Sequence, residues 1–238
     1  FTFCLNLIQY IYMSDLSTKI QDCAYELFGN NFKFRKGQLD VIQNIIENVQ
    51  TNVKQTVLEA PTGSGKSSIG IIAAYVLYKH YDKTSYILTS DLSLFDQYEH
   101  DIKRLYVDCF GCIKGKENYI CNDNNCNVSQ STCALQGKSI MSLAKSYGFS
   151  CKDNCQYYHD YLKAVESPIT LMTYQLYFIQ RNYVENDLFG GLNKNFPKRD
   201  LVIADECHKI CEICQSHFAP TINIKRPKWM NDLDKGCK

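Results

Sequence analysis

The chain predicts an α/β fold, a parallel sheet flanked by helices, and three observations carry that prediction. A short apolar run, Thr56-Val57-Leu58, opens onto Ala60-Pro61-Thr62-Gly63-Ser64-Gly65-Lys66-Ser67, which leads into the apolar stretch from Ile69 to Tyr78. Strand, glycine-rich loop and helix in that order are the setting of a phosphate-binding loop. Far downstream, the continuous apolar run Leu201-Val202-Ile203-Ala204 ends directly in Asp205-Glu206-Cys207-His208. That is a buried strand with acidic residues at its carboxyl end, where α/β sheets hold ligands. Between the two, strand-length and helix-length segments alternate, as βαβ units require.

Taken in order, Phe1 to Tyr12 is apolar but lacks the basic start and small-residue cleavage site of a signal peptide, and is too short to span a bilayer. Met13-Ser14-Asp15 reads as a natural start, so residues 1–13 are expected to be a leader or a disordered start. Leu16, Ile20, Cys23, Ala24 and Leu27 recur at helical spacing and Gly29 stops the helix. A second amphipathic helix is expected at 38–49, a strand at 55–59, and a helix at 66–80. A strand follows at 85–89 and a helix at 92–105, which completes the first part of the domain, 14–108. Periodicity then disappears. Residues 109–156 fill with Cys, Asn, Gly and Lys and read as an inserted module. Regular structure resumes over 157–218: an amphipathic segment from 156 to 166, a strand at 169–173, a short helix at 174–181, a loop at 186–199, the acidic strand at 201–204 and a helix after it. Residues 219–238 read as a truncated tail.

The chain has 238 residues, 45% of them hydrophobic, enough for a real core. A net charge of +1 excludes a global basic field, so nucleic-acid binding would rest on local patches. Thirteen cysteines beside a loop that works on intracellular ATP favour reduced thiols or metal ligands over disulfides. An intracellular location with no membrane segment is expected.

The loop specifies its own chemistry. Backbone N–H groups at Thr62, Gly63, Ser64 and Gly65 cradle the β-phosphate, Lys66 reaches the β and γ oxygens, and the Ser67 hydroxyl ligates Mg²⁺. Ala60 stands where such loops commonly carry their first glycine. Asp205 would hold Mg²⁺ through water, Glu206 would orient and deprotonate the attacking water, and His208 would pass nucleotide state to the nucleic-acid side. Upstream, Phe32, Arg35 and Gln38 suit an adenine: a ring to stack and an amide to read the base edge. Thr89, Ser90 and Gln97 lie at a strand-to-helix junction and suit phosphate contacts along a single strand. A helix capped by Ser90 or Asp91 is the competing reading of that junction.

The cysteines divide into two sets. Cys121, Cys126, Cys133, Cys151 and Cys155 crowd a segment poor in strong apolar residues, which needs a metal to fold. Thiolate ligands at irregular spacing lean toward an iron–sulfur cluster, with zinc as the alternative. Cys207, Cys211 and Cys214 share one face of a helix and read as thiols packed in a core.

These motifs in this order, with Lys114-Gly115-Lys116-x-Asn118-Tyr119-x-Cys121, Cys155-x-Tyr157-Tyr158 and Thr170-Leu171-Met172-Thr173-Tyr174-Gln175 between them, resemble the DinG/XPD family of iron–sulfur superfamily 2 DNA helicases, a phage or viral member included. The likeness covers about residues 30–210. It implies a RecA-like domain, ATP and Mg²⁺ as cofactors, single-stranded or forked DNA as partner, and a [4Fe–4S] cluster on Cys121, Cys151, Cys155 and one of Cys126 or Cys133, with Cys133 favoured. Family members go on to a second RecA-like motor domain with an arginine finger, which is missing before Lys238. The chain is therefore expected to be the amino-terminal part of an ATP-dependent DNA helicase and not to unwind DNA alone. An Asp-Glu-x-His RNA helicase with a zinc-stapled insertion, or a non-catalytic nucleic-acid-binding module, are the alternatives.

Overall fold

A computed structural model describes residues 2–61, 63–122, 125–131, 155–184 and 196–219. Four parallel strands form the main sheet: β1 (Ser85–Thr89), β2 (Phe110–Cys112), β5 (Ile169–Thr173) and β6 (Leu201–Ala204), in the order β2-β5-β1-β6. In register, Ser85 lies opposite Ile169 on one side and Leu201 on the other. β3 (Ile120–Cys121) and β4 (Cys126–Asn127) form a separate antiparallel pair in which Cys121 faces Cys126.

Alternation along the strands divides the core into two layers, because successive side chains leave opposite faces. Ile87, Ile169 and Leu171 join one cluster, with α1 (Thr2–Phe28), α2 (Gln38–Gln50), α3 (Lys66–Tyr81) and α4 (Leu92–Lys103). Tyr86, Leu88 and Met172 join the other, with α5 (Gln156–Glu166), α6 (Tyr174–Val184), α7 (Ile210–Phe218) and the small β3–β4 module. Each fully buried Ile or Leu in these layers contributes about 1.5–3 kcal/mol. Polar ties fix the ends. Lys79 of α3 pairs with Glu26 of α1, and that hydrogen bond holds the glutamate carboxyl below its usual range. Asp200, just before β6, accepts the Thr84 N–H at 2.9 Å and the Lys83 ammonium at 3.0 Å. Partial burial works against the Asp200 charge, yet these partners keep its carboxyl below its ordinary value.

The helices at 38–49, 66–80, 92–105 and 156–166, and the strands at 85–89, 169–173 and 201–204, are present with ends shifted by a few residues. Four expectations are corrected. Residues 55–59 form no strand: Val57 is 84% exposed, the segment is tied by Asn48 Nδ2 to Thr56 Oγ1 at 3.0 Å, and β6 ends the described sheet. Only Val57 and Leu58 could bury much apolar area there, too little to offset about 1–2 kcal/mol of backbone ordering per residue. Residues 2–13, expected as a leader or a disordered start, are helical and form the first turns of α1. The insertion begins later than 109, because Phe110–Cys112 is a strand of the main sheet. That strand is masked in the sequence by Gly111, which lets α5 approach: a Cβ there would lie 2.5 Å from the Ala164 Cα.

The last correction concerns Cys207, Cys211 and Cys214, which do not pack in a core. Cys207 and Cys211 are exposed and Cys214 half-buried, because Ile210 and Ile213 supply the face of α7 that meets the second cluster. Cys23 and Cys109 are buried, and Cys112 is half-buried. Burial pushes the Cys23 thiol up to about 11 and those of Cys109 and Cys112 up to about 12. Since the thiolate is the reactive form, brief iodoacetamide treatment of the folded protein at neutral pH should label Cys207 and Cys211 well before Cys23, Cys109 and Cys112. Peptide mass spectrometry reads the order.

Candidate active site

The loop before α3 is held in shape by its own backbone and by α2. Gly63 and Gly65 have φ of 76° and 82°, the left-handed region that disfavours other residues. Gln38, the first residue of α2, locks that shape. Its Nε2 donates to the carbonyls of Ser64 at 3.0 Å and Gly65 at 3.4 Å, and its Oε1 accepts the Arg35 N–H at 2.7 Å. The expected adenine-reading amide is thus bonded to the loop itself. Phe32 stacks on Phe28 with ring centroids 4.9 Å apart and meets Phe34 edge-on at 5.1 Å, so it is half-buried against the core. Arg35 is exposed, with its guanidinium beside Gly65. Thr62 lies outside the described residues.

Lys66 opens α3 and its Nζ donates to the Ala60 carbonyl at 3.0 Å, across the loop. Ser64 Oγ is buried with no hydrogen-bond partner among the described residues. A ring of backbone around an unsatisfied hydroxyl and a lysine resting on a carbonyl fits an anion with oxygen acceptors, as a triphosphate supplies.

α3 also brings the loop to the acidic box. Gly70 packs against Ile203 of β6, a Cβ there meeting Ile203 Cγ2 at 3.3 Å. The β1–β6 ladder continues one step, from the Asp205 N–H to the Leu88 carbonyl at 3.0 Å, which fixes Asp205 at the carboxyl end of the sheet. Asp205 Oδ1 accepts the Glu206 N–H at 2.9 Å and Oδ2 accepts the Tyr98 hydroxyl at 2.9 Å. Its carbonyl accepts the Tyr174 hydroxyl at 2.7 Å. The Ser67 side chain lies near the same Tyr98 hydroxyl. Ser67 and Asp205 are therefore neighbours of one phenol. Both are hard oxygen donors of the kind Mg²⁺ takes, so the residues present fit that ion.

Glu206 adopts φ 53° and ψ 43°, a left-handed conformation uncommon outside glycine and concentrated at functional sites. Its Oε2 lies 3.3 Å from His208 Nδ1, on an open face. Lys209 reaches from there to Asp91 Oδ2 at 3.3 Å and Ser90 Oγ at 3.4 Å. Asp91 caps α4 by accepting the Leu94 N–H at 2.9 Å, a bond that holds its carboxyl below the usual range. The capping reading of this junction is therefore the one observed. Thr89 is fully buried and Ser90 nearly so, and both bond within the turn, so neither offers its hydroxyl to a strand of nucleic acid. Gln97 does face outward, in a shallow concavity with Ser93, Asp96, His100 and Asp101.

Residues 31–223 match the family described as type III restriction enzyme, res subunit (ResIII). The chain belongs to this family. ResIII is a superfamily 2 helicase-type domain, of the nucleic-acid-dependent ATPases that use ATP and Mg²⁺. The parallel sheet between helices fits its α/β, RecA-like fold. No curated protein matches the chain in sequence. Among the described residues no helix is long and apolar enough to cross a membrane.

Tyr98 and Tyr174 are the site residues that motif reading missed. Tyr174 had a usable signal, its place immediately after the carboxyl end of β5, whereas Tyr98 looked like any core residue of a helix. Of the cluster cysteines, Cys133 and Cys151 lie outside the described residues. Cys121, Cys126 and Cys155 all join the second cluster, and among the described residues no three Cys, His, Asp or Glu side chains are grouped to hold a metal.

Replacing Gly65 by Ala sets a Cβ 2.4 Å from Gln38 Nε2 at a φ that alanine rarely adopts. Gly65→Ala in this ResIII domain should therefore lose fluorescent-nucleotide binding at least tenfold, the equivalent of about 1.4 kcal/mol of strain, with the far-ultraviolet circular dichroism unchanged.

Proposed function

We propose that the chain is the ATP-binding motor domain of a DNA helicase, hydrolysing ATP in a cycle coupled to movement on single-stranded or forked DNA. The observation that carries the reading is that α3, which opens on Lys66 and Ser67, packs through Gly70 on Ile203 of β6, the strand that ends in Asp205, with Ser67 and Asp205 both beside the Tyr98 hydroxyl. Lys66 exchanges its contact with the Ala60 carbonyl for phosphate oxygens and balances the charge that grows on the leaving β-phosphate. Ser67 and Asp205 would hold Mg²⁺, which when bound neutralises the β and γ oxygens. Glu206 orients a water and takes its proton as the water oxygen bonds to the γ-phosphorus and the bridge to ADP breaks. The half-buried Glu206 carboxylate, beside His208 and on a strained backbone, is suited to that part. Of the residues expected at the adenine, exposed Arg35 beside Gly65 is the one left to meet the base, while Gln38 braces the loop.

On this reading Gln97, on the outer face of α4, contacts the nucleic-acid backbone, while α4's inner face carries Tyr98 to Asp205. Coupling hydrolysis to stepping needs closure of a second RecA-like domain around the nucleotide, and the proposal assigns that domain as the partner of this one. Lys66→Ala should abolish ATP binding or turnover in the enzyme completed by that domain. Undiminished phosphate release would remove the motor reading and leave the non-catalytic module.

The proposal includes a [4Fe–4S] cluster on Cys121, Cys133, Cys151 and Cys155. Its support is the Lys-Gly-Lys-x-Asn-Tyr-x-Cys string together with the packing of Cys121 and Cys155 in one cluster beside Tyr119 and Tyr157. Protein isolated without oxygen should be brown, with about four irons and four acid-labile sulfides per chain. Colourless protein holding one zinc would instead favour the Asp-Glu-x-His RNA helicase.

A further inference from the structure

We infer that Tyr98 is a positioning residue of the ATPase site: its hydroxyl fixes the Asp205 carboxylate and thereby sets the affinity for the divalent ion. The inference rests on the ATPase reading above and goes beyond it, since Tyr98 belongs to none of the motifs that define the site.

The geometry is specific. Tyr98 donates to Asp205 Oδ2 at 2.9 Å, with Ser67 near the same phenol. A phenol has one proton to give and lone pairs to accept with. That proton is committed to Asp205. One hydroxyl therefore ties the end of β6 to α4, on the same side of the sheet as α3. The ring cannot swing away, being 2% exposed among Phe95, Ile102 and the first core cluster.

Asp205 is gripped from three directions. Tyr98 of α4 holds one carboxylate oxygen, the Glu206 N–H holds the other, and Tyr174 of α6 holds the backbone carbonyl. The carboxylate plane is thereby set before any ion arrives, with lone pairs left for a metal-bound water. Outer partners of this kind orient metal ligands, and losing one typically costs 10- to 100-fold in metal affinity or activity. A tyrosine that merely filled the core would lose stability on truncation without changing the response to metal.

Tyr98→Phe in the full chain keeps the ring and deletes the hydroxyl. Mn²⁺ binding in the presence of ADP, followed by electron paramagnetic resonance, should weaken about 10- to 100-fold. Methylanthraniloyl-ATP binding in EDTA should match the wild type. Tyr86→Phe serves as control, because it also deletes a buried hydroxyl, bonded to the Pro197 carbonyl at 2.8 Å on the other face of the sheet; it should bind Mn²⁺ as the wild type does. Wild-type Mn²⁺ affinity in Tyr98→Phe, or an equal loss in Tyr86→Phe, overturns the inference while leaving the ATPase reading in place. Wild-type protein that binds no nucleotide overturns both. Should Tyr98→Phe be too unstable to isolate, 3-fluorotyrosine at position 98 retains the hydroxyl but makes it more acidic. Mn²⁺ affinity must then shift, and an unchanged value overturns the inference.

Discussion

The carboxylate of Asp205 is the point at which the separate elements of this protein become one site. It stands at the end of β6, bonded through its amide to β1, through its side chain to α4 and to the following residue, and through its carbonyl to the start of α6. An aspartate in open water would rotate among several rotamers. Here the rotation is removed by the following residue and by partners from three segments that are distant in sequence, which is how a fold turns a common side chain into a directed one.

The glycine-rich loop achieves the same end by a different route. It has few side chains with which to hold itself, so its curl depends on two left-handed glycines and on Gln38, whose amide spans the gap between α2 and the loop. Packing of Gly70 on Ile203 then sets the height of α3 over the sheet, and with it the distance from Ser67 to the acidic strand. Both halves of the site are therefore positioned by contacts that lie outside the residues doing the chemistry.

How far the sequence could be read depended on whether its signals were local. Helices with a clear apolar stripe, such as Gln38–Gln50, and strands with unbroken apolar runs, such as Ile169–Thr173 and Leu201–Ala204, stood out because burial and periodicity coincide within a few residues. Phe110–Cys112 was hidden because its Gly111 answers to α5, a partner far along the chain. The run at 56–58 misled in the opposite sense: its local pattern is that of a strand, but nothing at its position repays ordering it. The α7 thiols misled because three cysteines on one stripe look like an apolar face, whereas Ile210 and Ile213 offer more burial on the neighbouring stripe. At the site, the loop and the acidic box were readable because their chemistry fixes residue type and spacing together. Tyr98 was not, since its only requirement is to be a phenol at the right place in three dimensions.

The outer side of β6 has one more implication. Among the described residues it ends the sheet, with Val202 42% exposed, so a row of backbone donors and acceptors faces outward beside apolar side chains. Such a rim is a template: the first extended segment to reach it gains a full set of main-chain bonds at little entropic cost. Whether that segment comes from this chain or from a neighbouring copy is then a matter of local concentration, and crowding many copies together favours the neighbour.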